Sequence, residues 1–156
     1  MSTLAVNKRA NYDYEILENY EAGIVLTGQE VKAIRAGQIS LKGSYVVFHG
    51  GNHLQAFLIN AHVGHYKPAG ALTDYNPTRS RRLLLKKKEL HHLFGRTINE
   101  GLTVIPLKLY TKGSLLKLEI GLGRGKKKYD KRQAIQKREW DKKRRTLTKQ
   151  NLLIRG

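Results

Sequence analysis

Cysteine is absent from this chain of 156 residues. That excludes disulfides, zinc ribbons and thiol nucleophiles, and makes a reducing cytosol the natural setting. Long apolar runs are missing as well. No stretch approaches the ~20 apolar residues of a membrane span, and Met1 to Ala10 holds nothing of signal-peptide length. A soluble, cytoplasmic protein is therefore expected. Acidic residues are few, 12 against 30 Lys and Arg, for a formal net charge of +18. An imbalance of that size calls for a polyanionic partner, because each phosphate neutralised releases condensed counterions and so contributes affinity.

The charge is unevenly spread. Leu122 to Gly156 holds fourteen Lys or Arg against Asp130, Glu139 and Asp141, a net of +11. The first 121 residues hold 16 basic and 9 acidic side chains, a net of +7. The division expected is a domain over 1–121 and a basic tail over 122–156. Asp130-Lys-Arg-Gln133 reads as a helix start, and Glu139 with Lys143 and Asp141 with Arg145 are favourable i,i+4 pairs. Yet cations point all the way round such a helix. A tail of this kind is expected to be mostly disordered when free and helical over 130–147 inside a cavity walled by RNA. Tyr129 and Trp140, set among the charges, suit stacking on bases. Membrane binding would require bulky residues on one face, and Trp140 with Leu147 is too little.

The body reads mainly as strand. Tyr12, Tyr14 and Ile16 alternate with Asp13, Glu15 and Leu17, and Gly23 to Thr27 is a short apolar strand. Ser44 to His49 and His53 to Asn60 flank Gly50-Gly51-Asn52 as a hairpin. Thr103 to Tyr110 and Leu115 to Gly121 flank Lys112-Gly113 as another, with Pro106 confined to an edge or bulge. Thr27-Gly-Gln-Glu30 is a capping box opening a helix that Gly37 stops. A second helix runs from about Lys87, breaking at Gly95 or continuing to Gly101; Lys86, Lys87 and Lys88 at its start have the wrong sign for the helix dipole. The aperiodic stretch from Val63 to Ser80 contains Pro68 and Pro77 and leads through Arg79, Arg81 and Arg82 into Leu83. Together these predict a small antiparallel barrel of the oligonucleotide-binding (OB) type, mainly β, with two or three helices.

No catalytic or metal centre is expected. His62-x-x-His65 and His91-His92 lack acidic companions at a familiar ligand spacing. Gly121-Leu-Gly-Arg-Gly-Lys126 imitates a phosphate loop but has Lys127 where Ser or Thr should hold magnesium. Acid–base cleavage of RNA by Glu89 and His92 remains a formal alternative, as does a generic basic RNA chaperone or ribosomal protein.

Several motifs match one family in order along nearly the whole chain: Asn7-Lys-Arg-Ala10, Tyr14-Glu-Ile16, Glu21-Ala-Gly-Ile24, Gly28-x-Glu-Val-Lys32, Ile34-Arg-Ala-Gly37 and Ser44-Tyr45. Pro77-x-Arg-x-Arg-Arg-Leu-Leu-Leu85, Glu89-Leu90, Gly101-x-Thr-Val-Ile-Pro-Leu107, Leu109-Tyr110, Gly125-Lys-Lys127 and Tyr129-Asp-Lys-Arg132 continue the match. The chain resembles the SsrA-binding protein (SmpB) family of bacteria. The resemblance implies an OB-type barrel that binds the tRNA-like part of transfer-messenger RNA (tmRNA) in trans-translation, and a tail that enters the small-subunit decoding centre and the empty messenger channel. It implies tmRNA and the ribosome with its small-subunit RNA as partners, no cofactor, and a monomer. By matched position, Asn7, Glu21 and Leu84 contact tmRNA or support that contact. Glu21 either touches RNA or orients basic neighbours. Lys8, Arg9, Lys32 and Arg35 join them on charge and placement. Gly125, Lys126, Lys127, Tyr129, Asp130, Lys131 and Arg132 match the decoding-centre segment, and Trp140 falls in the channel helix. His65 before Tyr66, Asn76 before Pro77 and Lys128 depart from the family pattern.

Overall fold

The computed structural model describes residues 2–66 and 75–126. The chain divides after Gly125, and the strands and helices of the described residues belong to the first unit, Met1–Gly125. The helix expected over 130–147, the order of the tail and the middle of the long loop lie outside the described residues.

Among the described residues, nine strands and three helices succeed one another in the order β1 (Thr3–Val6), α1 (Ala10–Asp13), β2 (Tyr14–Ile24), α2 (Gly28–Arg35), β3 (Ile39–Ser40), β4 (Tyr45–His49), β5 (Gln55–Ile59), β6 (His62–Val63), β7 (Arg81–Leu84), α3 (Lys87–Glu100), β8 (Thr103–Lys112) and β9 (Leu115–Gly125). Pairing runs β8–β4–β5–β7–β2–β9 and returns from β9 to β8, so six antiparallel strands close a ring. The β8–β4 seam rests on Val46 opposite Val104. β1 adds to the free part of the same β8 edge, with Val6 opposite Lys108. β3 and β6 form a separate two-stranded ribbon. Closure removes the unpaired edges that an open sheet of this size would expose.

Both expected hairpins form. β4 and β5 turn through a single 3-10 turn at Gly51–His53, with Gly50 at φ 108° and Gly51 at φ 43°. β8 and β9 turn at Gly113, φ 62°. Pro106 sits where the β8–β9 register slips between Pro106 and Lys108, a bulge that accommodates its missing N–H. Two readings of the N-terminal part need correcting. Tyr12 is not in a strand: the Arg9 carbonyl accepts from the Tyr12 and Asp13 amides, and buried Ala10 pins the helical turn α1, so the strand begins at Tyr14. The apolar run from Gly23 is not a strand of its own: Gly23 and Ile24 end β2, and Val25 to Thr27 follow outside any strand.

Alternate strand residues fill the barrel: Ala22, Val46, Ala56, Leu58, Leu83, Val104, Leu109, Leu118, Ile120 and Leu122, with Ala33 and Ile34 of α2 and Leu90 and Leu93 of α3 packed against them. β9 runs on to Gly125, so Leu122 to Gly125, assigned above to the tail, carry the last strand pairs, Gly125 opposite Tyr14. The glycines that imitate a phosphate loop lie in this strand. A Cβ at Gly121 would stand 3.1 Å from Ile16 Cγ2 and Leu107 Cδ1, and one at Gly123 3.1 Å from Tyr14 Cβ. Here glycine serves close packing, not anion binding. α3 does not break at Gly95 but continues to Glu100, where Gly101 (φ 64°) ends it. Its start is relieved by Glu89, whose carboxylate accepts from the Lys86 amide at 3.3 Å.

The basic run entering β7 is not a solvated patch. Arg81 is fully buried and Glu30 is 1% exposed. Arg81 Nε donates to Glu30 Oε2 at 2.5 Å, Nη1 to the Ala61 carbonyl at 2.9 Å and Nη2 to the Pro77 carbonyl at 3.1 Å. Arg79 donates to the other Glu30 oxygen, which also accepts from the Thr27 amide at 2.9 Å. Burial works against the Glu30 carboxylate, but the hydrogen bonds from Arg79, Thr27 and Arg81 outweigh it and hold its pKa below the ordinary 4.5.

Glu30→Ala leaves Arg81 buried without its counter-ion and should cost about 3–5 kcal/mol, read as a lower urea midpoint; an unchanged midpoint would contradict this role. Because the folded pKa is depressed, the Glu30 contribution is fully present above pH 4.5 and is lost as pH falls through the lowered folded value. Acid unfolding of Glu30→Gln should accordingly show a shallower dependence on pH than the parent over that range.

Candidate nucleic-acid interface

Asn7, Lys8 and Arg9 occupy the turn between β1 and α1. Asn7 is tied to the β8 bulge: its amide donates to the Leu107 carbonyl at 2.8 Å and its Nδ2 to the Pro106 carbonyl at 2.9 Å. Lys8 is exposed. Arg9 lies 5.3 Å from the Tyr12 ring centroid and 3.5 Å from Asp13, so part of its charge is compensated. These residues form one wall of a groove of about 360 Å³ whose other wall is Ile39 to Lys42. The groove is lined by Lys8, Arg9 and Lys42 and by no acid. Lys42 is not among the residues expected from sequence. Nothing local distinguishes it there, since only the lateral placement of β3 beside β1 brings it opposite Lys8 and Arg9.

Glu21 and Leu84 lie on the paired strands β2 and β7. Leu84 lies opposite Gly23, where a Cβ would stand 3.2 Å from Leu84 Cβ, and it keeps half its surface exposed. Glu21 projects two residues earlier on the same strand face. Its carboxylate accepts from the Tyr110 hydroxyl and from Lys112 Nζ at 3.3 Å. The Tyr110 bond chiefly holds the Glu21 pKa below its usual value, while burial, then the Glu21 bond, push the Tyr110 phenol up to about 12. Both Glu21 oxygens thus have protein donors. Glu119, directly opposite Glu21, is met by Asn19 Nδ2 at 3.0 Å and Lys108 at 3.4 Å.

Lys32 and Arg35 lie on α2. Lys32 Nζ stands 5.7 Å from the Tyr66 ring centroid, and Arg35 Nη2 donates to the Ser114 carbonyl at 3.0 Å, bracing the β8–β9 turn. The expected residues therefore fall into a groove group (Asn7, Lys8, Arg9), a seam pair (Glu21, Leu84) and two helix cations. Of the tail residues, Gly125 ends β9 and Lys126 is half-buried. Lys127, Tyr129, Asp130, Lys131, Arg132 and Trp140 lie outside the described residues.

His65 and His92 have local partners. His92 Nε2 lies 3.0 Å from Glu18 Oε2, and Arg96 reaches the other Glu18 oxygen at 3.1 Å, while Glu89 is occupied at the start of α3. The Tyr20 hydroxyl bond is the main cause of the lowered Glu18 pKa. His65 packs edge-on against Tyr75, centroids 5.7 Å apart. No group of three potential metal ligands occurs among the described residues, and no helix there is long and apolar enough to cross a membrane. What the surface offers is cation, hydrogen-bond donor and exposed apolar side chain, the chemistry of polyanion binding.

Comparison with known proteins gives a consistent family. The family model described as SmpB protein matches residues 4–150. An SsrA-binding protein of Gloeobacter violaceus is 50% identical over 136 residues, covering 87% of each chain. One from Coxiella burnetii (strain Dugway 5J108-111) is 46% identical over 147 residues, covering 94% of this chain and 91% of its own. Among solved structures, a chain described under "tmRNA-SmpB: a journey to the center of the bacterial ribosome" superposes with a TM-score of 0.64 at 42% identity, covering 83% of this chain and 92% of that one. A closed antiparallel barrel bearing a basic groove, and a family match that extends through most of the basic tail, thus converge: the chain belongs to the SmpB protein family.

Proposed function

We propose that this chain is an RNA-binding adaptor of trans-translation, not an enzyme. It binds the tRNA-like domain of tmRNA through the barrel and delivers it to stalled ribosomes in the cytoplasm. Its C-terminal tail enters the decoding centre and the empty messenger channel, against small-subunit ribosomal RNA, so that the ribosome is rescued and the incomplete protein tagged. The observation that carries this reading is the family match over residues 4–150, which spans barrel and tail together. The names of the relatives, SsrA-binding protein and tmRNA-SmpB, supply the RNA. The residues supply a physical basis: rigidly held cations on the barrel suit a folded RNA, and a tail with charge on every side suits a cavity walled by phosphate.

On this proposal Asn7, Lys8 and Arg9 meet the RNA at the groove, and Leu84 supplies an apolar contact beside Glu21. Glu21 acts by orienting Lys112, since its oxygens are already engaged by Tyr110 and Lys112. Lys32 and Arg35 add positive field. Gly125, Lys126, Lys127, Tyr129, Asp130, Lys131, Arg132 and Trp140 serve the ribosomal end.

The full chain should prefer tmRNA over an ordinary tRNA across a series of salt concentrations, with a modest salt slope. Equal binding, with a slope of ~0.9 per phosphate summed over many contacts, would instead mark a charge-driven RNA binder. Truncation after Lys126 should spare tmRNA binding and the melting temperature yet abolish rescue in a stalled-ribosome assay. Truncation after Gly121 removes Leu122, fully buried, and the β9 partners of Tyr14, Glu15, Ile16 and Glu18, so it should unfold the barrel as well.

A further inference from the structure

We infer that Lys42 is a phosphate contact: the groove between Asn7–Arg9 and Ile39–Lys42 takes the sugar–phosphate backbone of a structured RNA, with Lys42 on one bank and Lys8 and Arg9 on the other. This rests on the RNA-binding reading above and extends it to a residue that neither the motifs nor the relatives single out. Three cations line the groove, and no carboxylate is among its lining residues; Asp13 lies 3.5 Å from Arg9 and compensates part of that charge. Ala5, Val6 and Ile39 form an apolar floor between the banks. Cations at the rim over an apolar floor match a nucleic-acid strand, whose phosphates alternate with less polar sugars.

Preorganisation distinguishes Lys42 from an ordinary surface lysine. Leu41 beside it is 2% exposed and anchors the turn in the core. The Leu41 carbonyl accepts from the Ser44 amide at 3.1 Å and from Ser44 Oγ at 2.5 Å. The Lys42 amide donates to Ser40 Oγ at 3.3 Å. Gly43 holds a left-handed conformation, φ 73°, and its carbonyl accepts from Asn60 Nδ2 at 3.4 Å. The opposite bank is fixed by the two hydrogen bonds of Asn7 to the β8 bulge. Two turns from distant parts of the chain, each braced by its own hydrogen bonds, therefore fix the backbone from which these cations extend. A shaped site of this kind loses less conformational entropy on binding than loose lysines do.

The test is binding of full-length protein to a tmRNA tRNA-like domain over a salt series, comparing the parent with Lys42→Ala, Lys42→Glu and Lys42→Arg. Lys42 is exposed, so melting temperatures should match. Loss of one phosphate contact should reduce the salt slope by ~0.9 and weaken binding roughly 8-fold at 0.1 M salt. Lys42→Glu should weaken it further, and Lys42→Arg should restore both slope and affinity. If the parent binds the RNA but Lys42→Ala and Lys42→Glu bind it equally well, this inference is overturned and the adaptor reading stands. A parent that shows no preference for the tRNA-like domain overturns the adaptor reading, and this inference with it. A poly-glutamate peptide serves as a second probe: if Lys42→Ala weakens its binding and leaves RNA binding intact, the groove belongs to an acidic protein and the inference fails.

Discussion

The buried ion pair between Glu30 and Arg81 joins parts of the fold that no other interaction among the described residues connects in the same way. Glu30 is at once the third helical residue of the capping box that starts α2 and the counter-ion of a strand residue in the barrel. Through Arg81 it is linked to the Ala61 and Pro77 carbonyls, the two shoulders of the long loop. An Arg–carboxylate pair out of water is stable only when its remaining donors and acceptors are met, and here three arginine nitrogens and both carboxylate oxygens are engaged. Removing one member exposes all of these elements to the same unsatisfied charge. The Tyr75 hydroxyl, donating to the Val63 carbonyl at 2.6 Å, closes the loop base from the other side.

That arrangement changes how the positive charge of the body is to be understood. Arg81 is consumed inside the structure, and Arg79, 42% exposed, is paired with the same carboxylate. Lys108 and Lys112 meet Glu119 and Glu21, Arg35 braces a turn, and Arg96 is held by Glu18 and Glu100. Lys8 and Lys42 form no ion pair among the described residues and face one groove. The chain thus uses many of its cations as structural cross-links and leaves a few, on rigid turns, directed outward. A folded polyanion recognised by a few fixed contacts would be selected by shape more than by charge density, which is the requirement placed on an adaptor that must find one RNA among many.

On the proposed function, the barrel and the tail would meet their partner by different physics. On the barrel, closure of the ring and the bulge at Pro106 set the positions of Asn7 and its neighbours before any RNA arrives. The sequence of the tail has neither an apolar stripe nor enough apolar mass to form a core of its own. Gly125 and Lys126 are the boundary between these regimes, because β9 still pairs with β2 at Gly125.

Much of the fold was legible locally. Gly50-Gly51 and Lys112-Gly113 announce their hairpins because a tight turn needs positive φ, Pro106 announces a bulge because it has no N–H, and Thr27 with Glu30 announces a helix start because both halves of the cap lie within one turn. The family was legible in motifs that run nearly end to end. What sequence could not decide depended on contacts between distant segments. Arg81 reads as one more cation in a basic run until the long loop folds back and places three acceptors around it. Tyr12 reads as strand by alternation until the Arg9 carbonyl captures two amides. Lys42 has no signal at all until β3 comes to lie beside β1. Local backbone chemistry was determined by the sequence alone, because its causes lie within a few residues; which charges are buried, paired or presented was decided only by tertiary structure, because a charge takes its role from neighbours that the chain brings from far away.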